Sequence, residues 1–379
     1  MRNTLFLFKT AAITPYYGYT FKYPSKIERM FYVILFLISV IQFIGEVTYV
    51  SKYFPELAVI DFTEVVSHVG FGALCFTKVT VIAIYRKTIS KLMFNLKTMF
   101  PKTAYLQEQF QVRKYLTTVL KTSKYWISYF FLAHMGFTIV PICQSCFDYY
   151  LTGNFSYLTP VRACYPFSYY KDPLIYSIVY FHQFWGVYWI GCLILCTDLL
   201  LGSTLLQVCM HYDSIGKQFS EVGKGQGDME TIRYLGRYHW IVTRLSDDLR
   251  KVFSVIILMN VFISACTICF IALQITSAEG RVHAANYVMT FLFLSAQVYQ
   301  ISYFGSKLNE ASDNFASAVY NHNWYSQTPE YRKAVLFILL RCQNNSHLSV
   351  GGFTTLSVAT FGQVYQYSYK IFAILNSTH

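Results

Sequence analysis

Seven apolar stretches constrain this chain more than anything else in it. They lie at 30–50, 62–85, 126–147, 174–206, 252–276, 285–304 and 352–375. About 20 apolar residues in a helix cross the hydrocarbon core of a bilayer. The pattern therefore predicts an all-α integral membrane protein with seven transmembrane helices. Composition agrees: 54% of residues are hydrophobic and 13% charged, against about 25% charged in ordinary soluble domains. The second stretch is the weakest, because it carries Glu64, His68 and Lys78. The fourth is longer than a bilayer requires, so it is expected to tilt or to project into the cytoplasm.

Charge fixes the expected orientation. The segments 1–29, 86–125, 207–251 and 305–351 carry 5, 9, 7 and 4 Lys or Arg, 25 in all. The alternate segments 51–61, 148–173, 277–284 and 376–379 carry 4, and Lys78 and Lys370 lie within stretches. Cytoplasmic segments hold the excess of Lys and Arg. The N-terminus is thus expected in the cytoplasm and the C-terminus outside. The net charge of +12 reflects that asymmetry and gives no reason to expect nucleic acid.

Other classes are disfavoured. G-protein-coupled receptors place the N-terminus outside, and neither Asp-Arg-Tyr after the third stretch nor Asn-Pro-x-x-Tyr in the seventh is present. The nine His show no HxxxH or HExxH spacing, so no metal is expected, and no convergent nucleophile or acid points to an enzyme. No internal repeat suggests a transporter. Cys143/Cys146 and Cys266/Cys269 have CxxC spacing within or beside apolar runs, where small packing residues are the plain reading; a disulfide from Cys164 to Cys143 or Cys146 stays open. No cleavable signal peptide is evident. Asn154-Phe155-Ser156 is a sequon in the longest outer segment, so Asn154 is an expected glycosylation site. Asn376-Ser377-Thr378 lies outside but close to the membrane.

The last stretch, Gly351 to His379, is read as one spanning helix with a polar stripe. Gln363, Gln366, Lys370, Ile374 and Ser377 step by 3, 4, 4 and 3 residues, so they share a face. Such a face lines water or joins neighbouring helices. Lys78 and Asp198 are expected near the cytoplasmic side, where they either pair or snorkel. Glu46 is expected to reach the headgroups. The 207–251 segment, softened by GKGQG at 223–227, reads as a solvated helical extension of its neighbours. The 305–351 segment is punctuated by Phe315, Val319, Tyr320, Trp324 and Tyr325. That suggests a packed surface, within the chain or between subunits.

AVYNHNWY (Ala318 to Tyr325), Arg332-Lys333, LLRCQ (Leu339 to Gln343), an apolar helix entering at Phe361 and YKIFAIL (Tyr369 to Leu375) together resemble the C-terminal third of insect odorant receptors. Lys370 departs from that pattern, which usually has a small polar residue there, and so does Ile371, where an aromatic is common. The related gustatory receptors rank second, because Leu375-Asn376-Ser377 replaces their Gln-Phe ending. The 45 residues of 207–251 leave no room for the long insertion of the odorant receptor co-receptor, so the chain resembles a ligand-tuning subunit.

The resemblance implies a heterotetramer with the co-receptor around a cation pore, in the plasma membrane of olfactory sensory neuron dendrites. Residues 1–304 would form helices one to six with an outer-half ligand pocket. Residues 305–379 would form a cytoplasmic anchor and the pore-lining helix. It implies a gate at Ile374, with Ser377 and Thr378 at the mouth and Gln363, Gln366 and Lys370 along the path. The volatile organic ligand would meet aromatic walls. On this topology Phe71, His134, Phe137, Thr138, Tyr176, Tyr180, Phe184 and Tyr188 lie in the outer half. Tyr320, Trp324 and Tyr325 are the expected subunit contacts. No cofactor is implied.

Overall fold

The computed structural model describes residues 26–170, 172–222, 229–276 and 281–377, without the side chains of 28, 281–286 and 375–377. The N-terminal segment to residue 25, Lys171, the GKGQG linker and Thr378 lie outside the described residues, as does the side chain of Ser377.

Ten helices and one small hairpin make up the described chain. In order they are α1 (Lys26–Tyr53), α2 (Val59–Ile84), α3 (Arg86–Met99), α4 (Ala104–Gln109), α5 (Val112–Thr152), α6 (Pro173–Val222), α7 (Met229–Thr276), α8 (Arg281–Asn321), α9 (Pro329–Cys342), β1 (Ser349–Val350), β2 (Thr354–Thr355) and α10 (Val358–Ser377). Among the described residues, five helices are long and apolar enough to cross a membrane: α1 from Arg29, α2, α5, α6 and α7. Helices α8 and α10 cover the sixth and seventh apolar stretches. The end bearing the 153–172 loop is called the upper end below, and the end bearing α3, α4, α9 and the hairpin the lower end.

Helix α6 is the central post. Of its apolar window 72% is buried, against 17% for α5 at the periphery. Helix α1 shows how such helices are sided. Ile34, Leu37, Ile41 and Ile44 are exposed, while Leu35, Ser39, Gln42 and Glu46 face inward. The inward steps of 4, 3 and 4 are helical, and the polar residues are the ones hidden. The Glu46 side chain therefore turns into the protein instead of reaching out to headgroups: it is 3% exposed and accepts a 3.0 Å hydrogen bond from Gln42 Nε2. Apolar solvent rewards that inversion, because a carboxyl side chain finds its hydrogen bonds only inside the protein.

The 207–251 segment is the second correction. It is helical apart from the undescribed 223–228, but its inner face is core rather than solvated. Cys209, Tyr212, Ile215, Phe219, Ile232, Leu235, Val242, Leu245 and Leu249 are all buried there. The charges occupy the opposite faces, as in any amphipathic helix. A third difference lies at the start of the last stretch. Gly351 (φ 61°) and Gly352 (φ 86°) turn the chain between β1 and β2, pairing Ser349 with Thr355 and Val350 with Thr354. Glycine takes that backbone region without steric cost. The helix therefore begins at Val358, six residues later than the apolar run alone suggests.

At the lower end, Thr328 caps α9 by accepting from Tyr331 N at 3.4 Å, with Pro329 at the first helical position. Both are favoured helix starts. At the upper end, α5 runs through Pro141 and stops at Gly153 (φ 75°). Cys75, Cys143, Cys146, Cys164, Cys192, Cys196, Cys209, Cys266, Cys269 and Cys342 are all free, so no disulfide joins Cys164 to Cys143 or Cys146.

Candidate functional site

Helices α5 and α6 enclose an aromatic niche near the upper end. His134 of α5 is its centre and is 5% exposed. The imidazole lies flat against Phe130 (6.0 Å between centroids, 17°). Phe184 and Tyr188 of α6 meet it edge-on at 4.8 and 5.4 Å. Gly191 makes this approach possible, because a Cβ there would sit 2.4 Å from the Phe130 ring. Thr138 and Tyr180 line the same wall and are internally satisfied. Thr138 Oγ1 donates to His134 O at 2.8 Å, and Tyr180 Oη donates to Thr138 O. Neither imidazole nitrogen of His134 has a partner.

The remaining residues expected to meet ligand lie at different places, not all of them beside this niche. Phe137 faces His68 of α2 at 5.3 Å, whose Nδ1 is also unpaired. Phe71 packs instead beside Ile268, Leu294 and Tyr365, between α7, α8 and α10. Tyr176 belongs to the roof. Its hydroxyl donates to Leu158 O at 2.6 Å, and its ring meets Phe155 and Tyr157. The roof is the 153–172 loop. Cys164 N donates to Gly45 O at 3.0 Å, and Val161 N to the buried Gln183 Oε1 at 3.0 Å. Arg162 pairs with Asp61 at 2.8 Å and Glu64 at 3.8 Å. Asn154, the sequon residue, is exposed in this loop.

Below the niche, Lys78 and Asp198 form an ion pair at 2.6 Å, with Lys78 wholly buried. Lys78 Nζ also donates to Ile194 O at 3.2 Å. Gln297 Nε2 donates to the other Asp198 oxygen at 2.9 Å. One polar knot thus ties α2, α6 and α8, and of the two alternatives the side chains pair rather than snorkel. Gln297 was not foreseen: a lone Gln inside an apolar run carries no sign of its partner.

The stripe on α10 is real, and it is uncovered. Gln363, Gln366, Lys370 and Ile374 are exposed in the single chain, Ile374 to 65%. The opposite face, Thr360, Val364 and Ser368, is buried, and Ser368 Oγ donates to Ala265 O at 3.0 Å. Lys370 Nζ lies 5.7 Å over the Tyr367 ring. At the lower end, α8 and α9 border a groove of about 830 Å³ lined by Tyr320, Leu336, Phe337 and Leu340, all four exposed. Tyr325 is exposed to 70%. Trp324 is half-buried and donates from Nε1 to Tyr320 O at 3.0 Å. The α9 residues Leu336, Phe337 and Leu340 add to the aromatic surface read from sequence; their 3-to-4 residue spacing was the available signal.

Comparison with known proteins places this geometry. The family model described as 7tm Odorant receptor matches residues 58–369. Putative odorant receptor 92a of Drosophila melanogaster is 27% identical, across 95% of this chain and 91% of its own length. Odorant receptor 85b of the same insect is 26% identical, across 100% and 98%. The insect olfactory receptor OR5 from Machilis hrabei, solved in complex with eugenol, has the same fold: TM-score 0.87 over 100% of this chain and 97% of that one, at 13% identity.

Proposed function

The chain belongs to the insect odorant receptor family, which makes it a receptor rather than an enzyme, and from that premise we propose that it is the odorant-binding subunit of a ligand-gated cation channel. In this reading the partner is the odorant receptor co-receptor, in a four-subunit assembly in the dendritic membrane of olfactory sensory neurons. Seven helices span the membrane, α8 and α10 included. The lower end is cytoplasmic and the C-terminus extracellular. Residues 1–304 carry the ligand site and 305–379 the anchor and pore helix.

The observation that carries the reading is the uncovered stripe of α10. A helix whose packed face is complete, and whose other face holds Gln363, Gln366, Lys370 and Ile374 in the open, needs water or protein against that face at membrane depth. A pore shared between subunits supplies both. Ile374 near the outer end is then the constriction, closing by dewetting as apolar rings do. Ser377 and Thr378 lie at the mouth, and Gln363 and Gln366 line the inner path. Lys370, over Tyr367, is held off the axis. The groove bordered by Tyr320, Leu336, Phe337 and Leu340, with Trp324 and Tyr325 beside it, is an apolar surface suited to a neighbouring subunit. The ligand site is the niche around His134, with Phe137, Thr138, Tyr180, Phe184 and Tyr188, and Tyr176 at its margin; Phe71, packed between α7, α8 and α10, lies apart from it. Asn154 carries the glycan.

The test is recording from cells that express the chain with the co-receptor. Odorant-evoked current should require both proteins and persist with G proteins blocked. Ile374→Ala should raise basal current or change ion selectivity. Unchanged conductance and gating in that variant would remove Ile374 from the pore.

A further inference from the structure

His134 poses a problem that packing alone does not solve. A buried polar group without a partner costs about 1–3 kcal/mol, and most buried polar side chains in proteins have at least one. Here both ring nitrogens lack one at 5% exposure, on a peripheral helix long and apolar enough to cross a membrane. The neighbours do not relieve it. Phe130 and Phe184 offer only ring faces and edges. Thr138 spends its hydroxyl hydrogen on His134 O, and Tyr180 spends its own on Thr138 O. A neutral imidazole offers one donor and one acceptor, so the niche has a matched pair of unmet hydrogen-bonding sites inside apolar walls.

We propose that His134 is the specificity-determining contact of this site and that it selects oxygenated volatiles, alcohols and carbonyl compounds, over hydrocarbons of the same shape. This rests on the reading of the α5–α6 niche as the ligand site and adds the ligand's chemical class. The hydroxyl of an alcohol donates to the bare ring nitrogen; a carbonyl oxygen accepts from the ring N–H. The aromatic walls bind the remainder of the molecule with little discrimination, since area burial does not distinguish isosteres. Sites that hold a buried polar group ready reject ligands that leave it unpaired.

Matched pairs make the test: 2-phenylethanol with propylbenzene, acetophenone with α-methylstyrene, and 1-octanol with nonane. Each is applied to cells carrying the chain with the co-receptor, and each is added to the purified complex in a thermal-shift assay. In at least one pair the oxygenated member should act at about tenfold lower concentration than its partner, the equivalent of about 1.4 kcal/mol. His134→Phe keeps the ring and removes both nitrogens. It should erase that difference by raising the oxygenated member's EC50, with the hydrocarbon's moving less than about twofold. His134→Gln, which retains a donor and an acceptor, should keep part of the preference. The proposal is overturned if wild type treats the members of every pair alike, or answers none of the oxygenated compounds in either assay. It is equally overturned if His134→Phe, delivered to the cell surface, shifts both members together, as a ring serving only structure or a trapped water would. Discrimination in the thermal-shift assay without any co-receptor-dependent current would count against the channel reading and leave this one standing.

Discussion

The upper and lower ends of this molecule satisfy histidine to different degrees. Above, both nitrogens of His134 and one each of His68 and His182 are bare, and only His182 joins a network, through Tyr165 Oη at 3.2 Å. Below, His239 meets Thr243 at 3.2 Å and stacks on Phe315 at 4.4 Å. Thr243 and Ser346 both bond Tyr212, at 3.2 and 2.6 Å. His322 joins Val319 O at 2.6 Å and Tyr331 at 3.1 Å. His211 is the intermediate case, with one nitrogen on Tyr238 at 2.9 Å and the other unpaired. Satisfied networks give a packed region one arrangement. Unsatisfied groups leave a region waiting for something else. The lower end is built to stay; the upper end is built to be completed.

The Lys78–Asp198–Gln297 knot lies between the two, and it gives the largest expected effect. Breaking a buried pair from one side strands a charge, at a cost of about 3–5 kcal/mol. Lys78→Met should therefore abolish most surface delivery and lower the melting temperature of whatever is purified. Lys78→Met with Asp198→Asn leaves no charge and keeps an acceptor for Gln297, so it should recover most of the loss. A double variant as unstable as the single one would mean that the charges themselves hold α2 against α6. A stable single variant that fails only in ligand response would move the knot into the upper region's machinery.

Acid tests the lower end. Burial holds His211 and His239 near about 4, against an ordinary 6.5. Because the folded values are depressed, the unfolded chain binds more protons. Stability is thus full above about 6.5 and falls as pH drops toward 4. Each group contributes on the order of 2–3 kcal/mol across that window. Thermal melting of the purified protein should weaken between pH 7 and pH 4.5, and His239→Gln should blunt the slope. A flat profile would show that these rings reach solvent, and the contrast between the ends would shrink.

Much of this was legible in sequence, because lipid simplifies the rules. The places of the long helices followed from apolar runs, although several run well past them; pairing of Lys78 with Asp198 was one of two readings left open, and the open stripe of α10 followed from 3-and-4 spacing. Glu46 was misjudged by its nearness to a helix end. The ridge Ser39, Gln42, Glu46 was present at the same spacing, and it points inward because apolar residues fill the rest of α1. The 207–251 segment was judged by its charges, although Ile232, Leu235, Val242, Leu245 and Leu249 recur as a helical face. The hairpin at 349–355 was masked by its apolar neighbours, and two adjacent glycines were its sign. Gln297 and the bare nitrogens of His134 had no such sign. Both depend on which helix stands opposite, and one chain's periodicity does not encode that.

The smallest expected effect tests what keeps the roof on the upper end. Arg162 spans from the loop to Asp61 and Glu64, but its side chain is 42% exposed and theirs are 37% and 33%. Pairs this wet are worth about 0–1 kcal/mol and weaken with salt. The loop has other ties with partners inside the fold: Val161 N on Gln183, Leu158 N on Ser145 Oγ at 3.2 Å, and Tyr176 Oη on Leu158 O. Arg162→Ala should therefore change melting temperature by no more than about 2 °C, since about 1 kcal/mol moves a chain of this size by only a few degrees. It should shift ligand EC50 by less than about fivefold, and high salt should reproduce in wild type whatever shift appears. A larger shift that salt fails to reproduce would assign Arg162 a role beyond tethering. The upper end would then owe its openness to one loop contact rather than to the unmet hydrogen bonds beneath it.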